Sequence, residues 1–353
     1  MLQLGDFKLL GGHLGRVYYG RIQGKDRAIK IPNDEQGNFL QIHIRKQQLF
    51  HESNFLTSLN LGRAPRPKII RAFGPQLCQT KNGLVQGLEL EYLIGSPCSS
   101  FISKNGPVEL IKALKIIRDI SEALTIVHDS GKIHGDIKPD NIMVFDRVFT
   151  REDFTSFSQN TWQLLQKKGY ACVFLHEGTE YLMITDNFPL LSDYFVWDEK
   201  QKADLFAMLD THAILYDFGT VQDIGKTLLF PQTQEYQAPE KILNPINLIE
   251  AEIYSLGLTL FELLTGTIFI RIQNKDFSRL DSKTTTEITQ QHERLIDELK
   301  QTNLPCRIKA LIRWMTFYDT SDRSGSSGVQ NRPQNCQKLL TMIERIIRDI
   351  AEA

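Results

Sequence analysis

The sequence predicts an α+β chain in two parts: a small antiparallel β-sheet region carrying one helix, then a longer and mainly helical region. Three observations predict it. Residues 5–31 read as hairpin strands, with alternation in Arg16-Val17-Tyr18-Tyr19 and turn chemistry in Gln23-Gly24-Lys25-Asp26. Strand patterns return at 68–73 and 84–93, after a single helical stretch. Beyond the break at Gly95-Ser96-Pro97 the apolar residues recur at helical spacing almost to the end of the chain.

Taken in order, the first helix is expected between Gly37 and Leu59, where Phe39, Ile42, Leu49, Phe55, Leu56 and Leu59 recur at loose helical spacing. A hinge is expected near 91–97. The clearest helix runs from Val108 to His128, with Leu110, Leu114, Ile117, Ile120, Leu124 and Val127 in one stripe. Further helices are predicted over 249–265, 285–300, 305–318 and 334–351. The segment 321–332, with its Ser-Gly-Ser-Ser-Gly core at 324–328, reads as a flexible surface loop, natural or spliced in. The domains expected are therefore residues 1–94 and 95–353.

Whole-chain properties exclude several classes. With 353 residues, 41% of them hydrophobic, the chain can bury one large core or two of ordinary size. A formal net charge of -1 argues against nucleic acid or an anionic membrane as the main partner, since both demand a basic surface. Cys78, Cys98, Cys172, Cys306 and Cys336 are odd in number and form no C-x-x-C pair, so neither a disulfide framework nor a zinc site is indicated and a cytoplasmic location is expected. The first residues, Met-Leu-Gln-Leu-Gly-Asp-Phe, lack the basic start and apolar run of a signal peptide. The apolar stretch 248–270 carries Glu250, Glu252 and Glu262, so a buried helix is expected there and no membrane span.

Chemistry concentrates in five stretches. They are Gly-Gly-His-Leu-Gly-Arg-Val at 11–17, Ala-Ile-Lys at 28–30, His-Gly-Asp-Ile-Lys-Pro-Asp-Asn at 134–141, Asp-Phe-Gly at 217–219 and Ala-Pro-Glu at 238–240. Glycines beside a hairpin let backbone N–H groups approach phosphates without side-chain obstruction, although an ordinary glycine turn reads the same way. In this order the five stretches resemble the eukaryotic-type protein kinase family, from about residue 5 to the C-terminus. The resemblance implies a bilobal fold, residues 1–94 forming the sheet lobe and 95–353 the helical lobe.

It also implies roles. Lys30 would reach the α- and β-phosphates of ATP, held by Glu52; Glu35 is a poorer candidate for that partner. Asp136 would accept the proton of a substrate hydroxyl, Lys138 would contact the transferred phosphate, and Thr233 would bridge the two. Asn141 and Asp217 would hold Mg2+, for which Mn2+ could substitute. Leu10, Gly12, Gly15 and Val17 stand at the glycine-rich loop, where the family's first glycine is missing. Val17 and Ala28 above, Met143 below, Leu90 at the back, and the backbone of Glu91 and Leu93 would frame adenine. Each apolar one of these could equally be plain core. Glu240 would pair with Arg332, and Glu252 would anchor the backbone near Asp136 in place of the family's usual aspartate. Lys138 resembles the serine/threonine branch, so the expected partner is a protein with a serine or threonine acceptor. Gly135 replaces the arginine that many kinases neutralise with a phosphorylated loop, so loop phosphorylation is not expected to be the main switch.

A second Asp-Phe, Asp186 in Ile184-Thr185-Asp186-Asn187-Phe188, competes for the metal role but lacks the glycine. Asp217 lies 23 positions before Glu240 and Asp186 lies 54 before it. Family segments of about 20 to 35 residues favour Asp217. Between Asn141 and Asp217 the chain holds about sixty residues more than the family's turn requires. This insertion, 146–211, carries aromatics such as Trp162, Tyr181 and Trp197, so order is expected, with a helix at 159–168 and a hairpin at 171–186. It reads either as a structural pad or as a docking or regulatory surface. A nucleotide-binding pseudokinase scaffold and a small-molecule phosphotransferase remain as rival functions. A bacterial effector acting in a host cytosol and a divergent eukaryotic enzyme both suit the composition.

Overall fold

The computed structural model describes residues 1–11, 15–33, 38–59, 68–145, 148–150, 159–168, 171–176, 179–184, 211–227, 229–230, 233–243, 245–268, 282–318 and 331–352. They form two compact units, Met1–Ser96 with Val144–Gly219, and Pro97–Met143 with Thr220–Ala353. Residues 144–219 thus group with the first unit. One cause is local: the backbone of Leu215 accepts from Ile70 N and donates to Lys68 O, which ties the end of the inserted segment to the strand region.

The first unit is built on a six-stranded sheet, β1 (Leu2–Gln3), β2 (Lys8–Gly11), β3 (Gly15–Ile22), β4 (Lys25–Pro32), β5 (Ala72–Thr80) and β6 (Gly83–Glu91), in the order β1-β5-β6-β4-β3-β2. All neighbours are antiparallel except β1 and β5. The β3–β4 hairpin closes with Ile22 opposite Lys25, and both loop residues, Gln23 and Gly24, have positive φ, at 50° and 79°. That two-residue turn matches the right-handed twist of its strands. Leu4, Ile29, Ile31 and Cys78 form the core of this unit, with Tyr18 and Val85 packed against it.

Helix α1 (Phe39–Ser58) starts at a capping box, where Asn38 Oδ1 accepts from Gln41 N and Gln41 Oε1 accepts from Asn38 N. One strand differs from its prediction. The strand expected at 68–73 begins at Ala72 and continues to Thr80, because a bulge between Ala72 and Gly74 absorbs the Gly74-Pro75 pair that reads as a break. Within the insertion, Val148–Thr150, Ala171–His176 and Thr179–Ile184 form an antiparallel three-stranded sheet, and Gln159–Lys167 is helical. The helix and hairpin expected there are present.

The second unit is helical: α2 (Cys98–Asn105), α3 (Leu110–Asp129), α4 (Pro239–Leu243), α5 (Ile249–Thr265), α6 (Ser282–Gln301), α7 (Cys306–Met315) and α8 (Cys336–Ala351). Glu109 caps α3 by accepting from the backbone N–H of Ile111 and Lys112, an anion at a positive helix end. Ile116, Ile117, Ile120 and Leu124 of α3 are inaccessible. Helix α5 is apolar nearly all round because it is the buried centre of the unit. No helix among the described residues is long and apolar enough to cross a membrane. Gly12, Glu35, Asp186, residues 185–210 of the insertion and the Ser/Gly stretch 324–328 lie outside the described residues.

Candidate active site

In the first unit, period two puts Val17 of β3, Ala28 and Lys30 of β4 and Leu90 of β6 on one face of the sheet, with Val17 opposite Lys30 and Ala28 opposite Leu90. Ala28 and Leu90 are buried, Val17 is half-buried and Leu10 is 46% exposed. Lys30 Nζ lies 2.6 Å from Glu52 Oε2 and 2.7 Å from Asp217 Oδ1. The other oxygen of Glu52 accepts the backbone N–H of Phe218 at 3.1 Å, and the Phe218 ring packs on Phe55 one turn along α1. One glutamate therefore fixes both the amine and the residue after Asp217.

Space and strain are arranged around this cluster. A Cβ on Gly15 would sit 2.9 Å from Ile31 O and 3.3 Å from Lys30 Cε, so the glycine makes room for the lysine stem. Asp217 has φ 62°, in the left-handed region, where the hydrogen-bonding side chain of aspartate makes it one of the tolerated residues. Burial lowers the affinity of Lys30 for its proton, but the fields of Asp217 and Glu52 more than reverse this, and the net shift is upward. The amine is a fixed cation.

In the second unit, the 134–141 stretch folds around Asp136. Lys138 Nζ lies 2.9 Å from Asp136 Oδ2 and donates to Thr233 Oγ1 at 2.6 Å, while Thr233 N donates to Asp136 Oδ1 at 2.9 Å. Asn141 Nδ2 donates to Asp136 O at 2.7 Å and to Asp136 Oδ2 at 3.1 Å. Both oxygens of Asp136 are thereby oriented. Gly135 takes φ 94°, a conformation that side chains resist, and its N–H donates to Glu252 Oε1 at 2.6 Å. Here the backbone itself favours glycine. Glu240 of α4 forms a two-pronged pair with Arg332, with both side chains almost fully buried.

The sequence pattern of the protein kinase domain matches residues 6–159 and 201–334. The chain belongs to the protein kinase family. The unmatched internal residues, 160–200, fall inside the insertion. Among relatives, the serine/threonine-protein kinase PknB of Mycobacterium leprae is 25% identical over 142 residues, 40% of this chain and 22% of that protein. The Aurora kinase of Saccharomyces cerevisiae is 30% identical over 158 residues, 43% of this chain and 40% of that protein. A probable serine/threonine-protein kinase of Clostridium acetobutylicum is 38% identical over 65 residues, 18% of this chain and 10% of that protein. The chain thus aligns with less than half the length of each.

Two residues of this chain escaped the sequence reading. His128, the last residue of the predicted 108–128 helix, places Nε2 2.8 Å from Glu252 Oε2, and Cys336 Sγ stands 3.7 Å from His128 Nδ1. Glu252 is therefore gripped from both sides, by a ring and by a backbone N–H. The available signal was position: His128 lies four residues after Leu124, on the buried stripe of α3. Met143, Glu91 and Leu93 are half-buried or buried.

The donor chemistry fits magnesium. In the first unit Asp217 offers a carboxylate; in the second, Asn141, whose amide hydrogens are committed to Asp136, offers its carbonyl oxygen; each by itself is a hard ligand of the kind Mg2+ takes together with water and phosphate oxygens. Among the described residues no group of three or more His, Cys, Asp and Glu side chains is arranged to hold a metal by itself.

Proposed function

We propose that the chain is a serine/threonine protein kinase that transfers the γ-phosphate of ATP to protein hydroxyls. The observation that carries the reading is the setting of Asp136, whose two carboxylate oxygens are held by Lys138, Asn141 and the Thr233 backbone. A carboxylate so oriented can receive a hydroxyl proton while the oxygen attacks phosphorus. Lys138 offers a charge for the phosphoryl oxygens as they gain negative character, and Lys30, fixed by Glu52, offers a second for the α- and β-phosphates. Val17, Ala28, Leu90 and Met143 supply apolar surface for adenine, with the backbone of Glu91 and Leu93 as its hydrogen-bonding edge and Leu10, Gly12 and Gly15 near the phosphates. Magnesium, held by Asp217 and Asn141, would neutralise charge on the β- and γ-phosphates. The chemistry is mostly positioning and charge stabilisation.

The same proposal takes residues 1–94 and 95–353 as the two lobes and a cytoplasmic location, a host cytosol if the protein is a bacterial effector. Activity without loop phosphorylation is part of it. Gly135 offers no arginine to neutralise, and the Thr220 hydroxyl is buried and donates to His134 O. Loss of activity in Thr220→Ala or Thr227→Ala, with that threonine found phosphorylated in active wild type, would overturn it.

The deciding experiment measures γ-phosphate transfer from Mg-ATP to a serine/threonine peptide array and a generic protein, for wild type, Asp136→Asn and Asp217→Asn. Transfer by wild type and a loss of about a thousandfold or more in both variants is expected. No transfer by wild type, with nucleotide still raising its melting temperature, would replace the reading with a nucleotide-binding scaffold. Phosphorylation of small alcohols alone would replace it with a metabolite phosphotransferase.

A further inference from the structure

A groove of about 380 Å³ runs between α7 and α8 of the second unit. Its floor is apolar, made by Leu311 and Trp314 of α7 and Met342 and Ile346 of α8, and Arg307, Arg345 and Asp349 flank it. Leu311 and Ile346 are buried within the unit, whereas Met342 is 38% exposed and Trp314 half-exposed. The kinase match ends at residue 334, so α8, one wall of the groove, lies wholly beyond the family's pattern.

Charge is concentrated here. The sequence of α7, Cys-Arg-Ile-Lys-Ala-Leu-Ile-Arg-Trp-Met, carries Arg307, Lys309 and Arg313 and no carboxylate, in a chain whose net charge is -1. Arg307 pairs with Asp349 of α8 at 2.5 Å. Arg345 has no carboxylate within ion-pairing distance among the described residues. Tryptophan, methionine and arginine are the side chains that protein interfaces favour at their centres. Methionine adapts its shape, and an arginine stem can lie along apolar surface while its head reaches a carboxylate.

We propose that this groove docks an acidic amphipathic helix of another protein, its apolar residues on Trp314 and Met342 and a carboxylate on Arg345, beside the Arg307–Asp349 pair. The occupant follows from complementarity: an apolar floor asks for anchors at helical spacing, and the Arg345 guanidinium at the rim asks for a glutamate or aspartate beside it. A second copy of the chain is a poorer occupant. Its acidic helix α6 carries Glu293, Asp297 and Glu298 but already buries Leu295 and Leu299. Docking here is a matter of binding and is independent of whether phosphoryl transfer occurs.

The test uses the full chain and a fluorescein-labelled synthetic helix of about 18 residues, with leucine and tryptophan at i, i+3, i+4 and i+7 and glutamate on both flanks. Fluorescence anisotropy should show saturable binding that weakens about tenfold in Arg345→Glu, severalfold in Met342→Ala, and further with added salt. Lys300→Glu, on exposed α6, should bind as wild type does. Absence of saturable binding, equal binding of a scrambled peptide, or indifference to Arg345→Glu would overturn the proposal. So would two other results: Arg345-dependent cosedimentation with phosphatidylserine vesicles without peptide binding, which assigns the face to a membrane, or a dimer in sedimentation that Met342→Ala dissolves.

Discussion

Two buried glutamates, one in each unit, have their carboxyl pKa values displaced in opposite directions. Glu52 is 1% exposed and Glu252 is 2% exposed. Burial pushes the Glu52 carboxyl up, Lys30 opposes this, and the neighbouring Asp217 adds to it, leaving the group above the ordinary carboxylate range. Burial acts on Glu252 too, but the hydrogen bond and field of His128, the field of His134 and the Gly135 N–H carry it below that range. Depth therefore does not decide the direction of the shift. What decides it is whether the donors are shared: Lys30 serves two carboxylates, whereas the His128 ring and the Gly135 N–H both serve Glu252. The first cluster sets two carboxyl groups against one amine, in keeping with a proposed role for Asp217 as a cation ligand. The second is complete in itself and holds a loop in place.

The largest effect that tests this contrast is Glu252→Ala. It leaves the His128 ring and the Gly135 N–H buried without their acceptor, and a loss of about 3 to 5 kcal/mol is expected in urea unfolding. A loss below about 1 kcal/mol would mean that the pair contributes little and that the comparison fails on its second arm.

The isosteric variants sharpen the contrast. Glu252→Gln should cost about 1 to 3 kcal/mol, because the fold prefers that group charged. Glu52→Gln should cost well under half as much in EDTA-containing buffer, because Lys30 keeps Asp217 and one of two crowded carboxylates is neutralised. Equal costs would show that burial, and not sharing, governs both sites.

Acid provides a smaller and graded effect. A carboxyl whose folded pKa lies below its unfolded value stabilises the fold above the unfolded value and loses that contribution as pH falls through the folded one. Wild type should therefore lose stability more steeply than Glu252→Gln from about pH 4.5 downwards, and the two urea midpoints should converge. Parallel curves would remove Glu252 as the source of the acid response.

Much of this was legible in the sequence, for reasons that particular residues make plain. Lys30, Glu52, Asp136 and Asp217 stand in the order of the protein kinase motifs, so the resemblance pointed to the residues that the structure gathers into its two clusters. The strand Ala72–Thr80 was misplaced because a bulge at Gly74 looks, in one dimension, like a chain break. His128 was hidden for a different reason. A histidine at a helix end is ordinary, and only the pairing of α3 with α5 reveals that its ring closes on Glu252, 124 positions away. Gly135 read as a departure from the family, and its φ of 94° gives that departure a backbone cause.

The smallest prediction is the control on which the comparison rests. Asp297 and Lys300 of α6 form an ion pair at 2.9 Å, a geometry as good as that of Glu252 and His128, but their side chains are 65% and 66% exposed. Water screens the pair and solvates either partner when the other is removed. Asp297→Ala should shift stability by no more than about 0.5 kcal/mol, with little dependence on pH. If it cost as much as Glu252→Gln, distance alone would set the value of an ion pair in this protein. The opposite behaviour of Glu52 and Glu252 would then need a cause other than the sharing of buried donors.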